Sequence, residues 1–176
     1  MLQVSRSITV NCPREAAYEF WRDFENLPRF MQHLQSVTSA GNGLSHWVVK
    51  APAGQEVEWD AELVDERPNE RLAWRSAPGS DVEHEGSVQF RDAPGDRGTE
   101  IRVELRYDPP AGVIGSKVAK LFGEEPSQQV RDDLRRFKQV MEIGEVVLSE
   151  GSLEGVGEGP FKERPAQPPQ PREMQR

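Results

Sequence analysis

Cysteine and long apolar runs are both scarce in this sequence. Cys12 is the single cysteine among 176 residues, which excludes an internal disulfide framework and any zinc site built from several thiolates. Unbroken apolar runs reach only three residues, as in 146–148, so no membrane-spanning segment is predicted. Residues 1–11 alternate polar and apolar side chains and do not resemble a secretion signal. We therefore expect a soluble, cytoplasmic protein with no metal site and no cofactor.

Basic residues are outnumbered by acidic ones, 22 to 30, and the formal net charge is −8. An acidic chain is a poor partner for phosphate groups, so no nucleic-acid partner is predicted. Hydrophobic residues make up only 35% of the chain, which indicates that one segment dilutes an otherwise normal core. The length is typical of one domain followed by a tail.

The diluting segment is the C-terminal end of the chain. Five of the 14 prolines fall between positions 160 and 171, and glycines precede them. A segment of this composition buries too little apolar surface to offset the entropy of ordering it. We predict a folded domain over 1–145 and a Gly/Pro-rich tail without regular structure over 146–176. Binding of a protein partner through the prolines of this tail is the open alternative.

Period-two and period-3.6 patterns predict the elements of the folded part. Strands are predicted at 3–11, 36–40, 44–50, 56–66, 71–76, 82–91 and 99–107. Helices are predicted at 13–24, 26–31, 113–122 and 126–144. Short turns join the strands, so six or seven of them are expected to form an antiparallel meander, with a long amphipathic helix at the end.

Several stretches of this pattern resemble a known family. They are FWRDFENLPRFM (20–31), WDA (59–61), GSVQF (86–90), YDPP (107–110), LFGEEP (121–126) and DLRRFK (133–138). On these stretches, residues 2–145 resemble the bacterial polyketide cyclase/dehydrase-like branch of the START-related superfamily (SRPBCC). The resemblance implies an α+β helix-grip fold, in which a curved antiparallel sheet of six to seven strands wraps around a long C-terminal helix, with two short helices after the first strand. It also implies an apolar cavity between the sheet and the helix.

Large side chains on the predicted inner face are candidates for that cavity. By alternation, Trp59, Trp74, Phe90 and Tyr107 share one face of the sheet, and the final helix presents Leu134 and Phe137. Aromatic and aliphatic groups between a sheet and a helix can bound a pocket for a hydrophobic ligand. They can equally fill the core, so both interpretations stay open for each residue.

Only one titratable side chain is predicted to join them. His84 has the same parity as Val88 and Phe90, so it points inward, where it could act as a base or hydrogen-bond a ligand carbonyl. It is the one weak candidate for a catalytic residue, and the alternative is a half-solvated histidine at a strand end. For His46 and Trp47 the pattern does not decide which side chain is inside.

Other reactive groups are expected to play structural roles. Asn11 is predicted to cap the first helix, and Cys12 to lie at its N-terminus, where a thiol pKa is lowered. Glu58 and Asp60 are expected to face outward in a charged row opposite Arg71 and Arg75 rather than to form an acid–base pair. No nucleophile elbow and no phosphate-binding loop is present.

Three functions follow from these observations. The first is a soluble carrier or sensor of a hydrophobic small molecule such as a lipid, a quinone or an aromatic polyketide. The second is a cyclase or dehydratase acting on an aromatic or polyketide substrate in the same cavity. The third is a protein-interaction module. The sequence favours the first, because an enzyme usually presents several convergent polar groups and only His84 is predicted to point inward.

Overall fold

One antiparallel sheet organises the computed structural model of the chain, which describes residues 2–50, 56–108 and 126–144. Within these residues the strands are β1 (Leu2–Val10), β2 (Leu34–Gly41), β3 (Leu44–Lys50), β4 (Glu56–Arg67), β5 (Arg71–Ser76), β6 (Glu83–Asp92) and β7 (Thr99–Asp108). Their order in the sheet is β1-β7-β6-β5-β4-β3-β2, so every pair except β1–β7 joins strands that follow each other in sequence. The predicted meander of six or seven strands is confirmed.

Helices lie before and after this meander, and one short 3-10 turn lies within it between β6 and β7. They are α1 (Arg14–Arg22), a 3-10 helix (Phe24–Arg29), a short 3-10 turn (Pro94–Asp96) and α2 (Pro126–Ile143). The second predicted helix is a 3-10 helix, whose first turn is held by the Asp23 carboxylate accepting a 3.2 Å hydrogen bond from the backbone N–H of Glu25. Among the described residues, no helix is both long and apolar enough to cross a membrane.

The tight turns explain why consecutive strands pair. Asn42 and Gly43 form the two-residue connection between β2 and β3, and their φ angles are +53° and +74°. Two positive φ values match the right-handed twist of the flanking strands, which is why Asn-Gly is favoured there. Asn69, with φ of +63°, turns the chain between β4 and β5 in the same left-handed region.

The strand register shows which of His46 and Trp47 points into the core, a question that the sequence pattern did not decide. Trp47 on β3 lies opposite Trp59 on β4 and is only 3% exposed, so Trp47 is inside. Its neighbour His46 faces outward, where its Nδ1 lies 2.8 Å from Asp60 Oδ1 and its Nε2 lies 3.6 Å from Glu58 Oε2. The two carboxylates therefore flank an imidazole on the surface.

Outward charges pair between β4 and β5, but Arg71 and Arg75 lie against Asp65 and Glu62 and not against Glu58 and Asp60. Arg75 Nε lies 2.6 Å from Glu62 Oε1, and Arg71 Nε lies 3.1 Å from Asp65 Oδ2. Such half-exposed pairs contribute up to about 1 kcal/mol each to stability.

The start of α1 differs from the prediction in two ways. The helix begins at Arg14, and its cap position is Pro13, which makes no side-chain cap hydrogen bond, so the prediction of an Asn11 cap is wrong. The backbone N–H of Asn11 donates to Glu142 Oε1 of α2 at 2.7 Å. The pKa of Cys12 is raised by burial and by the nearby Glu142 carboxylate, contrary to the expected lowering.

Two predicted segments lie outside the described residues. They are the helix at 113–122 and the tail at 146–176. Every described residue belongs to one compact unit, Met1–Val146.

Candidate functional site

A buried apolar cavity lies between the sheet and the N-terminal half of α2. Its volume is about 40 Å³. All four tryptophans of the chain line it, one from α1 and one each from β3, β4 and β5: Trp21, Trp47, Trp59 and Trp74. Each of them is at most 6% exposed. Aromatic rings therefore form most of the wall on the side of the sheet.

Three of these indoles form a stack. The ring centroid of Trp47 lies 5.8 Å from that of Trp59 and 6.3 Å from that of Trp74, with interplanar angles of 26° and 25°. Phe24 of the 3-10 helix meets Trp47 and Trp74 edge-on at 5.9 and 5.6 Å. Alternation along three adjacent strands brings the indoles to one face, and offset and edge-on ring contacts stabilise them there.

The stack depends on one glycine. Gly86 on β6 is paired with Trp74, and the indole lies over its Cα. A Cβ added at Gly86 would overlap two ring carbons of Trp74 and would lie 2.9 Å from its Nε1. Glycine within a strand weakens the strand unless another group needs the space, and here the indole occupies that space.

Part of the cavity lining is polar. It consists of His33, His84, Gln129 and Asp133. His33 Nδ1 lies 3.8 Å from Asp133 Oδ2, and Arg136 Nη1 donates to Asp133 Oδ1 at 3.0 Å. His84 and Asp133 are each only 5% exposed. Three titratable groups from three separate elements therefore meet in one enclosed space.

Burial keeps these groups in their uncharged forms near neutral pH. Burial lowers the pKa of His33 to about 4, helped by the Arg136 charge, and lowers the pKa of His84 to about 4, helped by His33. Burial raises the pKa of Asp133 to about 8, although Arg136 and the backbone N–H of Gln32 oppose the change. The cavity thus holds neutral imidazoles beside a neutral carboxylic acid.

The stability of the protein should therefore be greatest near pH 6.5. From pH 4 to 6.5 the unfolded state binds more protons at His33 and His84 than the folded state does, so these histidines raise the stability as pH rises. Their combined effect is larger than the opposite effect of Asp133. From pH 6.5 to 8 only the folded state keeps the Asp133 proton, so stability falls, by about 1–2 kcal/mol. In urea unfolding across this range, the free energy of unfolding should decline above pH 6.5 in the parent and in Asp132→Asn, but not in Asp133→Asn. Equal declines in all three proteins would contradict the assignment.

Several polar atoms of the lining have no hydrogen-bond partner within the described residues. They are Nε1 of Trp21, Trp59 and Trp74 and Oε1 of Gln129. By contrast, Trp47 Nε1 donates to Ser45 Oγ at 2.8 Å. A buried polar atom without a partner costs about 1–3 kcal/mol, and a bound ligand can satisfy it. No group of acidic, histidine or cysteine side chains suited to a metal ion is found in the part of the chain that the structure describes.

Comparison with known proteins identifies the family of this chain. The model of the family described as "Polyketide cyclase / dehydrase and lipid transport" matches residues 10–135. This chain belongs to that family. A Streptomyces lincolnensis protein, the "uncharacterized 17.2 kDa protein in melC2-rnhH intergenic region", is 32% identical over 142 residues, which cover 81% of this chain and 91% of the relative.

Solved structures of similar proteins share the fold. The crystal structure of DR_A0006 from Deinococcus radiodurans is 43% identical and has a TM-score of 0.68, covering 82% of this chain and 99% of the other. The di-domain ARO/CYC BexL from the BE-7585A biosynthetic pathway is 17% identical and has a TM-score of 0.56, covering 80% of this chain and 50% of the other. The predicted α+β helix-grip fold, a seven-stranded curved sheet with a C-terminal helix, is confirmed.

In this member of the polyketide cyclase/dehydrase family, the residues predicted from sequence fall into two groups. Trp59, Trp74, His84 and Leu134 line the cavity. Phe90, Tyr107 and Phe137 are buried but do not belong to the lining in the described part of the chain. The second group packs against other parts of the core instead.

Ring contacts and strand pairing show where the three residues of this second group lie. Phe90 meets Tyr18 at 5.8 Å and Trp21 at 6.4 Å, because α1 covers that end of β6. Phe137 packs against Trp21 and Phe30, each at a centroid distance of 5.1 Å. Tyr107 lies opposite His84 in the β6–β7 ladder, and burial raises its pKa.

Of the four polar lining residues, sequence reasoning found only His84 and missed His33, Gln129 and Asp133. Asp133 follows Val130 by three residues and precedes Phe137 by four, so helical spacing places it on the apolar face of α2. A charged residue on such a face was an available signal. His33 lies in the link between the 3-10 helix and β2, where no periodic pattern indicates which way a side chain points.

Proposed function

We propose that this chain is a cytoplasmic binding protein, a carrier or sensor, for a hydrophobic small molecule held between the sheet and α2. The observation that supports it best is the buried cavity with its tryptophan wall and unpartnered polar atoms. A family that acts in polyketide cyclisation or dehydration and in lipid transport agrees with such a ligand. The proposal assigns binding to residues 1–145, gives the 146–176 tail no part in it, and includes no nucleic-acid partner.

The size of the cavity sets a condition on binding. A volume of about 40 Å³ holds only a few water molecules, since each needs roughly 10–15 Å³. A lipid, quinone or polyketide is far larger, so binding must displace lining side chains or move α2. Trp59, Trp74 and Leu134 would then supply apolar contact, and His84 would orient one oxygen of the ligand.

A cyclase or dehydratase is the second candidate, and the polar part of the cavity lining favours it. A neutral imidazole such as His84 can accept a proton from a carbon next to a carbonyl. The protonated Asp133 carboxyl can donate a proton to a leaving hydroxyl, which departs as water while a double bond forms. The lining includes His33 and Asp133 besides His84, the one candidate predicted from the sequence, which supports this alternative.

Tryptophan fluorescence provides a direct test of binding, because every tryptophan lines the cavity. Titration with a fatty acid, a sterol, a quinone and a flavonoid should produce saturable quenching with at least one of them. Leu134→Phe should weaken that binding about tenfold by occupying the cavity. Leu44→Phe, the same change at a side chain that is 42% exposed, should leave it unchanged.

The outcome also separates the two candidates. Mass spectrometry of the recovered ligand should show it unaltered for a carrier, and cyclised or lighter by one water for an enzyme. His84→Gln should then abolish the conversion and retain binding. Absence of quenching by every compound of the panel would refute the cavity as a ligand site.

A further inference from the structure

The two halves of α2 are fastened differently. Two hydrogen bonds join its C-terminal half to β1 and to the loop after β1. Lys138 Nζ donates to the backbone carbonyl of Thr9 in β1 at 2.9 Å, and Glu142 accepts from the backbone N–H of Asn11, which follows β1, at 2.7 Å. At its centre, Phe137 is fully buried among the rings of Trp21 and Phe30. These contacts fix the second half of the helix to the rest of the core.

The N-terminal half of α2 borders the cavity, and its first turn is joined to β1 by a hydrogen bond from the Arg6 guanidinium to the Ser127 hydroxyl. Across the cavity from it lies the link between the 3-10 helix and β2, which contributes Met31 and His33 to the lining. The described polar contacts across this boundary converge on Asp133, which faces His33 at 3.8 Å and accepts a hydrogen bond from the backbone N–H of Gln32. One carboxyl group therefore joins both sides of the boundary.

We propose that the contact of Asp133 with His33 and Gln32 closes the cavity, and that the ligand enters and leaves between the 31–33 link and the N-terminal half of α2. The inference rests on the proposed function, because a closure matters only if a ligand uses the cavity. Opening at this boundary separates few polar contacts, namely those of Asp133 with the link and, where the first turn of α2 also moves, the hydrogen bond from Arg6 to Ser127. Opening at the other end of α2 would instead remove Phe137 from its rings, and opening through the sheet would break a hydrogen-bonded ladder.

The charges around Asp133 make this closure sensitive to pH. Asp132 and Arg136 lie near it on α2, His33 faces it from the link, and His84 on β6 lies beyond His33. Water entering an opened boundary would let Asp133 ionise, so opening becomes more favourable as pH rises toward its folded pKa of about 8. Water would also let the histidines protonate, which favours opening below pH 6.5. The cavity is therefore most tightly closed near pH 6.5.

Acrylamide quenching of tryptophan fluorescence measures this opening in the ligand-free protein. Between pH 6.5 and 8 the quenching rate of the parent should rise about tenfold, since the populated fraction of the open form controls access to the indoles. Asp133→Asn should abolish the rise, because the amide does not titrate. Asp132→Asn should keep it, since Asp132 faces Arg135 and Gln128 on the surface of the same helix. His33→Gln should raise quenching already at pH 6.5 by removing one side of the contact.

Stopped-flow dissociation of 1-aminoanthracene, a neutral fluorescent probe, separates this inference from the proposed function. Faster dissociation at pH 8 in the parent, but not in Asp133→Asn, supports both. A pH-dependent quenching rate without any binding of the panel or the probe keeps the closure and refutes the ligand site. Binding together with an identical quenching profile in the parent and Asp133→Asn keeps the ligand site and overturns the closure.

Discussion

Replacing Phe137 by alanine is expected to lower the free energy of unfolding by about 3–5 kcal/mol. Its side chain is fully buried in α2, and its ring contacts Trp21 and Phe30 at 5.1 Å and Phe20 at 6.0 Å. The deletion removes apolar contact and leaves a cavity where α2 meets α1 and the 3-10 helix. Because these rings are tightly packed, little collapse can refill the space.

Urea denaturation with matched variants measures this loss. Phe137→Leu, which keeps much of the volume, should lose less than about 1.5 kcal/mol. Ile143→Ala, at a side chain that is 61% exposed on the same helix, should change stability by less than about 0.5 kcal/mol. A midpoint for Phe137→Ala equal to that of Ile143→Ala would show that α2 is not held at its centre by this ring.

The second large effect is expected at Gly86. Replacement by alanine should destabilise the protein by about 3 kcal/mol, because the new methyl group would overlap the Trp74 indole. The ring has no room to withdraw, since Trp47 stacks on it and Phe24 meets its edge. In a strand without such a neighbour, the same change would be neutral or stabilising, as alanine loses less backbone entropy than glycine.

A double-mutant cycle isolates the contact. In a Trp74→Leu background, adding Gly86→Ala should cost less than about 1 kcal/mol, because the smaller side chain frees the space over the strand. The coupling between the two positions would then be about 2 kcal/mol or more. If Gly86→Ala costs the same in both backgrounds, the glycine is needed for another reason than the indole.

The strands could be predicted within about two residues, because alternation is strong where one face of a sheet is buried. β3 and β5 match their predicted bounds, and β4 extends one residue beyond its predicted end. The errors in the predicted elements lie at the start of α1, where contacts at the cap position determine which residue begins the helix. Asn11 was a plausible cap by residue type, yet α1 begins at Arg14, and its cap position is Pro13, which makes no side-chain cap hydrogen bond.

The sequence could predict the face of the sheet on which the candidate site lies, but not which side chains of that face line the cavity. Period-two parity places Trp59, Trp74 and Phe90 on one side of the sheet, and the structure has all three buried there. Parity does not show which of them α1 covers, and Phe90 is covered by Tyr18 and Trp21 while the other two line the cavity. The placement of a helix over a sheet depends on contacts between distant segments, which a pattern along the chain does not contain.

Pairing of the first strand with the last has a consequence for how the chain acquires its structure. Ile8 of β1 lies opposite Ile101 of β7, so this ladder closes a loop of more than 90 residues, whereas the other ladders join consecutive strands. Contacts so far apart along the chain form late, because the entropy of closing the loop must be overcome before any hydrogen bond compensates for it. During synthesis, β1 must therefore wait without its partner until β7 leaves the ribosome. We expect the hairpins of the meander to form first, and the N-terminal strand to dock last together with α2.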